Sequence, residues 1–409
     1  MMQLSRKAEN TSLSKTEKKQ QRAERRAEKK AENEKLYQEV MEQSSAETPD
    51  QVDEPKKKNK WVKRGGIVLF VLLNAAVIYF TAANEFSKKA PAPIKFDFTN
   101  VLYLFGGILC LVIFLGCETA KYMIMMRHLG EKVSFRHAFC TTALGKYYDC
   151  ITPSGAGGQP FQIYYLHSNG YSNGPASAMP LSGFFTMQFG FVILCIFAFI
   201  FGNGVVNGVL APGIKITAYC GAIGYTIVPV MIIITGVAPK IAMRIVAFFV
   251  RIGAKLHIVK KPNHTIMKAV RYLNNYSENL KMITKDKGML FKLLLLSVIL
   301  QFAMCSMPFF AVRTFGGDIG FFRALILCIF IQSAISLILT PGNSGAAEGL
   351  FYIVFSSLGK SGTFWAMLLW RLLCYYSFII IGVLVYGFNA VTKIRDKRKA
   401  AQLNQEPGS

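Results

Sequence analysis

Sixty-five consecutive residues, from Cys150 to Ile214, contain no Asp, Glu, Lys or Arg. Soluble domains carry about a quarter charged residues, so a run of this length cannot be a water-facing surface. It belongs in lipid or against other apolar segments. Two further runs, 65–84 (GGIVLFVLLNAAVIYFTAAN) and 98–117 (FTNVLYLFGGILCLVIFLGC), are also free of charge. Each has about the 20 residues that a helix needs to cross a bilayer. The whole chain is 52% hydrophobic and 17% charged, with 32 Phe and a mean hydropathy of +0.33. This pattern predicts an all-α polytopic membrane protein and excludes a disordered chain or a disulfide scaffold.

Six spans are expected: 65–84, 98–117, 181–202, 216–238, 293–312, and 372–392 extended back across Arg371 to about 364. Two apolar pieces do not fit as simple spans. Residues 138–151 run into TPSGAGGQP at 152–160, and residues 324–358 are broken by TPGNSG at 340–345. Proline inside a helix removes a backbone bond, so each piece reads as helix, Gly-rich break and second short helix. That suits a re-entrant hairpin; an eight-span arrangement, in which some half-helices cross, satisfies the same pattern. Taken in order, the chain gives two spans, a hairpin and a span, twice over. The halves are about 65–202 and 216–392. Paired interrupted segments at corresponding places in inverted halves point to a transporter's binding site.

The formal net charge of +24 needs no nucleic acid to explain it. Residues 239–292 hold 12 Lys+Arg against Glu278 and Asp286, KIRDKRK follows the last span at 393–399, and KKKNKWVKR at 56–64 precedes the first. Basic segments stay in the cytoplasm. Both termini and the 239–292 loop are therefore expected inside, facing anionic inner-leaflet lipid. Residues 1–64, with 17 Lys+Arg and 12 Asp+Glu, read as a solvated tail or an electrostatic tether. The nine cysteines show no CxxC, the five histidines no metal spacing, and no Walker A loop occurs. No cofactor or metal is expected.

Chemistry is expected at the breaks. A broken helix exposes carbonyls on one side and N–H groups on the other, and a half-helix N-terminus favours an anion. Around the first break lie Lys146, Asp149, Thr152, Gly155, Gly157, Gly158 and Gln159; around the second, Thr340, Gly342, Asn343, Ser344, Gly345 and Glu348, with Arg371 on the last span. Ser344 can cap the half-helix that starts near Gly345. Glu348 and Arg371 suit either a structural ion pair or a zwitterionic headgroup, carboxylate to ammonium and guanidinium to phosphate. Lys146 and Asp149, three apart, share a helix face or snorkel to the interface. Glu118 and Lys121, at the end of the second span, read as interfacial.

GKYYDCITPSGAGGQPFQIYYL at 145–166 and LTPGNSGAAEGLFYIVF at 339–355 resemble the signatures of the lysyl-phosphatidylglycerol synthase membrane region, a flippase-like domain family of bacteria. The resemblance covers about residues 65–395. It implies a multi-pass plasma-membrane protein that moves aminoacylated phospholipid, typically lysyl-phosphatidylglycerol, to the outer leaflet and so protects against cationic antimicrobial peptides. Full-length members carry a soluble transferase domain after the membrane region, which uses lysyl-tRNA. Residues 393–409 are too short for such a fold, so lipid translocation is the leading expectation. Phosphatidylglycerol lysyltransferase is the alternative that the family name implies. A scaffold that recruits a separate aminoacyl-lipid synthase is a third.

The topology is testable by thiol labelling in an otherwise cysteine-free variant. A cysteine introduced at Asn207 is expected to react only from outside, and one at Asn274 only from inside. The opposite result at either position breaks the inverted-repeat argument.

Overall fold

The computed structural model describes residues 79, 98–152, 155, 157–237, 250, 281, 285–338, 340, 342–356 and 362–403. The charged segment 1–64, the first expected span apart from Tyr79, most of the 239–292 loop and residues 404–409 lie outside them. The helices lie within the unit formed by Lys58–Ala242 and Leu273–Ser409.

In chain order these helices are α1 (Phe98–His128), α2 (Phe135–Ile151), α3 (Gly158–Ser168), α4 (Asn173–Phe201), α5 (Pro212–Val237), α6 (Lys287–Thr314), α7 (Phe321–Ile335), α8 (Ala346–Ser356), α9 (Thr363–Arg371) and α10 (Ser377–Leu403). A π-helical turn, Leu372–Tyr376, joins α9 to α10. Local sequence sets several starts: Ser134 accepts from the His137 N–H at 3.2 Å to cap α2, and Asp286 accepts from the Met289 N–H at 3.0 Å to cap α6. Four segments are long and apolar enough to cross a membrane: Phe98–His128, Gly174–Phe201, Lys287–Thr314 and Thr363–Asn389. They match the second, third, fifth and sixth expected spans, and α5, at 26 residues, matches the fourth.

The remaining helices are short. α2, α3, α7 and α8 have 17, 11, 15 and 11 residues, hence about 16 to 26 Å at 1.5 Å per residue. That falls short of the roughly 30 Å hydrocarbon core. α2 and α3 run antiparallel, because Gly158 lies against Asp149 while Gln162 lies against Gly145, and the Tyr165 ring stands edge-on to His137. The pair forms a hairpin.

The two hairpins open at opposite ends of the bundle. Beside the mouth of α2–α3, His128 Nδ1 lies 3.8 Å from Asp286 Oδ2, and the Ser172 N–H donates to Glu131 at 3.1 Å. Beside the mouth of α7–α8, the Arg313 guanidinium sits over the Tyr103 ring, and Gly362 comes close to Phe315. The same contacts show α1 and α6, the most extensively packed pair, to be antiparallel. The order α1, α2–α3, α4 is therefore repeated upside down as α6, α7–α8, α9–α10.

The distribution of polarity suits lipid. Leu102, Phe105, Leu109 and Val112 form an exposed apolar stripe on α1, and Ile193, Ile196 and Ile200 another on α4. Some charge is inside: Glu118 and Lys121, expected at the interface, are 1% and 0% exposed. The reason is that α1 continues beyond Cys117 to His128, which carries both residues into the bundle. There they pair at 3.0 Å, and Lys121 also donates to the Gly183 carbonyl at 3.1 Å.

Close helix approach depends on small residues, as is usual where lipid supplies no hydrophobic drive. A Cβ at Gly190 would meet the Ser297 backbone carbonyl of α6 at 2.7 Å. Backbone cannot swing aside, so Gly190→Ala is expected to cost about 1–3 kcal/mol by overpacking. It should lower the thermal unfolding midpoint in detergent; an unchanged midpoint would show that α4 and α6 are not in this register.

Candidate functional site

The first break is closed by side chains of the helix that precedes it. α2 ends at Ile151, and Thr152 turns extended, with φ −109° and ψ 147°. Its hydroxyl donates to the Tyr148 carbonyl at 2.7 Å and accepts from the Gly157 N–H at 2.9 Å. Asp149 Oδ1 accepts from the Gly158 N–H, the first of α3, at 2.9 Å. Gly155 takes φ +63°, in the left-handed region that favours glycine. A Cβ at Gly158 would collide with the Asp149 carboxylate, so glycine there is what lets the carboxylate reach the backbone. Lys146 Nζ lies 3.8 Å from Asp149 Oδ2 and 5.4 Å from the centre of the Phe114 ring. These two side chains keep 12% and 22% of their surface exposed. Gln159 sits half-buried in the first turn of α3. The glutamine tied into the interior is Gln162, which donates to the Tyr122 hydroxyl at 2.9 Å and the Thr141 carbonyl at 3.1 Å.

The second break uses the same device with different residues. Glu348 Oε2, in the first turn of α8, accepts from the Gly345 N–H at 2.7 Å. Its other oxygen meets Arg371 Nε at 2.7 Å. The Arg371 terminal nitrogens reach the carbonyls of Gly342 and Asn343 at 3.3 and 3.5 Å. One guanidinium thus holds the carboxylate on one side of the break and the exposed carbonyls on the other. The Thr340 hydroxyl donates to the Ser344 carbonyl at 3.0 Å, and Ser344 is buried. Gly342, Asn343 and Gly345 all have positive φ. Glu348 and Arg371 are 3% and 4% exposed, so the structural ion pair expected of them is formed.

Both breaks converge on the π-turn that follows Arg371. Tyr375 lies in this turn, and its ring packs against Gly342, where any Cβ would overlap it. Its hydroxyl donates to the Cys150 carbonyl at the end of α2, at 3.3 Å. π-turns inside α-helices are frequent at functional sites. Here the turn is the piece of structure that touches both hairpins. Sequence reasoning missed Tyr375, because nothing in LLCYYS marks a π-turn. It also undervalued Glu118 and Lys121, although opposite charges three residues apart do share a helix face.

Removing one member of a buried ion pair strands the other, at about 3–5 kcal/mol. Arg371→Met should therefore destabilise the protein more than the double change Glu348→Gln, Arg371→Met. Unfolding midpoints in detergent check this; equal losses would mean that the pair does not hold the break.

The sequence is similar to that of a curated relative, a UPF0104 membrane protein from Archaeoglobus fulgidus. The two are 23% identical over 358 residues, which span 80% of this chain and 96% of the relative. The family described as the lysylphosphatidylglycerol synthase TM region matches residues 65–382, a stretch that includes both breaks, the π-turn and all the residues that join them. The chain belongs to that family.

Proposed function

We propose that this protein translocates phospholipid between membrane leaflets, with the headgroup passing through the paired breaks. The observation that carries this reading is that each half-helix N-terminus is occupied by one of the protein's own carboxylates, Asp149 on Gly158 and Glu348 on Gly345. An N-terminal N–H that holds a carboxylate is chemically suited to a phosphate. A lipid phosphate would displace the carboxylate from the N–H, with Lys146 or Arg371 as its counter-charge. The freed carboxylate would then meet a cationic headgroup. Aminoacylated phosphatidylglycerol, such as lysyl-phosphatidylglycerol, carries both charges, and delivering it to the outer leaflet would lower the surface negative charge that attracts cationic antimicrobial peptides. Thr152, Gly155, Gly157, Gln159, Thr340, Gly342, Asn343 and Ser344 complete the proposed headgroup path.

The first break is the readier of the two to open. Asp149 and Lys146 retain exposed surface, whereas Glu348 and Arg371 are buried and held by each other and by the break. On this reading the protein works in a bacterial plasma membrane with both termini cytoplasmic. Its basic segments would lie against anionic inner-leaflet lipid, and a separate aminoacyl-lipid synthase would supply the substrate.

The test is leaflet exchange of fluorescent phosphatidylglycerol and lysyl-phosphatidylglycerol in proteoliposomes. Wild-type protein should accelerate exchange. Lys146→Gln with Asp149→Asn should slow it at least about tenfold, which corresponds to roughly 1.4 kcal/mol of lost stabilisation. Normal exchange in that variant and in Glu348→Ala, Arg371→Ala would remove these residues from the mechanism. New lysyl-lipid in an expressing host that lacks its own synthase would instead favour the transferase.

A further inference from the structure

The first hairpin carries polar groups along its outward side as well as at its tip. α10 runs antiparallel to α2 and contacts it from end to end. The Tyr375 hydroxyl, just before α10, donates to the Cys150 carbonyl at 3.3 Å, and Gly382 packs on Tyr147. Further along, the Cys140 thiol donates to Asn389 at 3.9 Å and Arg136 donates to Thr392 at 3.2 Å. This ladder gives each residue a depth, from the break beside Cys150 to the hairpin mouth at Arg136.

Tyrosines line the seam between the hairpin and α10. The Tyr147 ring stands edge-on to Tyr148 at 5.1 Å, Tyr148 stacks on Phe161 at 3.8 Å, and Tyr164 lies 6.0 Å from Phe161, all between ring centres. Tyr386 is one helical turn on from Gly382, hence on the face that packs on Tyr147. Tyr164 and Tyr386 are 59% and 61% exposed, and Ile380, Val383 and Leu384 of α10 are also more than half exposed, so this surface is open to lipid. None of the four tyrosine hydroxyls makes a hydrogen bond among the described residues.

An interfacial aromatic belt does not account for them. Belt tyrosines stand at headgroup level, at the ends of spanning segments. Tyr147 and Tyr148 instead directly precede Asp149 at the break, and Tyr164 stands about 9 Å along α3 from its first residue. A hydroxyl at that depth facing hydrocarbon lacks the partners that water supplies. Packing alone needs only the ring, as Phe161 in the same cluster illustrates.

The charges at the two ends of the seam indicate the missing partner. Lys146, beside Tyr147, has three donors on its ammonium, yet its contacts among the described residues are the Met187 thioether at 3.5 Å, the Asp149 carboxylate at 3.8 Å and the Phe114 ring. Arg136 at the mouth is exposed. Asp149 is the one acid between Phe135 and Ser168, and its Oδ1 is held by the Gly158 N–H. A cation at each end with hydroxyl donors between them suits an anion that moves along the seam, and an anion with an apolar tail can do so while its tail stays in lipid.

We propose that the seam between the α2–α3 hairpin and α10 is the route by which a phospholipid headgroup passes between the inner leaflet and the first break. The phosphate enters at Arg136, moves over the hydroxyls of Tyr164, Tyr386, Tyr148 and Tyr147, and reaches Lys146, while the acyl chains remain in the bilayer beside Val383 and Leu384. This rests on the lipid-translocation reading and deepens it, because it names the side of the bundle on which the lipid travels.

Two measurements test the route separately. The first is thiol labelling of a cysteine-free variant in phosphatidylglycerol nanodiscs with a charged methanethiosulfonate reagent. Tyr164→Cys and Tyr386→Cys should react at least about tenfold faster than Leu384→Cys, since only a thiol in polar surroundings ionises readily. Equal rates would mean that acyl chains cover the seam, and would overturn the proposal. The second is exchange of fluorescent phosphatidylglycerol in proteoliposomes by a variant with Tyr147, Tyr148, Tyr164 and Tyr386 all changed to Phe, which keeps the rings. It should exchange at least about tenfold more slowly than wild type with an unchanged unfolding midpoint. If it fails to fold, the exposed pair alone, Tyr164→Phe with Tyr386→Phe, should show the slowing. Wild-type exchange in a folded variant overturns the route and leaves translocation standing. Wild-type protein that exchanges no lipid overturns translocation, and the labelling ratio then decides whether the seam holds a polar occupant.

Discussion

Backbone polar groups cannot be left unpaired in an apolar interior, where each costs several kcal/mol, and the two broken hairpins exist only because side chains answer that demand. Arg371 answers most of it at the second break, holding Glu348 and two exposed carbonyls at once. Thr152 and Asp149 do the corresponding work at the first. The interactions that stabilise the breaks are thus also the ones that mark where an anion would bind. In the proposed translocation, opening the site would replace an internal carboxylate with an external phosphate, an exchange of like for like that leaves no backbone group bare.

The second consequence concerns the arrangement of the halves. The hairpins enter from opposite ends, so their tips come together deep in the bundle, and the π-turn stands where they meet. Tyr375 touches the Gly342 backbone on one side and the Cys150 carbonyl on the other. A shift of either hairpin is therefore felt by the same turn, which would link the two breaks physically in the proposed translocation. The buried pair of α1, Glu118 and Lys121, has no counterpart in α6, whose stretch from Leu293 to Val312 carries no charge. The halves share a fold but not their electrostatics.

Much of this was legible from the sequence, because length and charge are strong constraints in a bilayer. The apolar runs located the second to sixth spans, Pro and Gly located both breaks, and the order of pieces pointed to the repeat. Site residues such as Asp149, Thr152, Glu348 and Arg371 stood out because polar side chains beside a helix break must serve it. What was not legible depends on tertiary geometry. Glu118 and Lys121 lie just past a charge-free run, and hydropathy alone cannot tell a helix that ends there from one that continues into the bundle. The π-turn sets the Arg371 guanidinium 5.1 Å from the centre of the Tyr375 ring, an arrangement that no spacing rule reports. Gln162 rather than Gln159 is the residue bonded in the interior, because one turn further along α3 faces Tyr122 and Thr141.

The central claim is that one headgroup site is formed jointly by the two breaks. Photo-crosslinking with phosphatidylglycerol that carries a photoreactive group on its headgroup, followed by peptide mapping, tests it most directly. Adducts are expected at 146–162 together with 340–348 or 371–375, and excess unlabelled lipid should suppress them. Adducts confined to lipid-facing residues such as Leu102, Phe105 and Ile196 would contradict it.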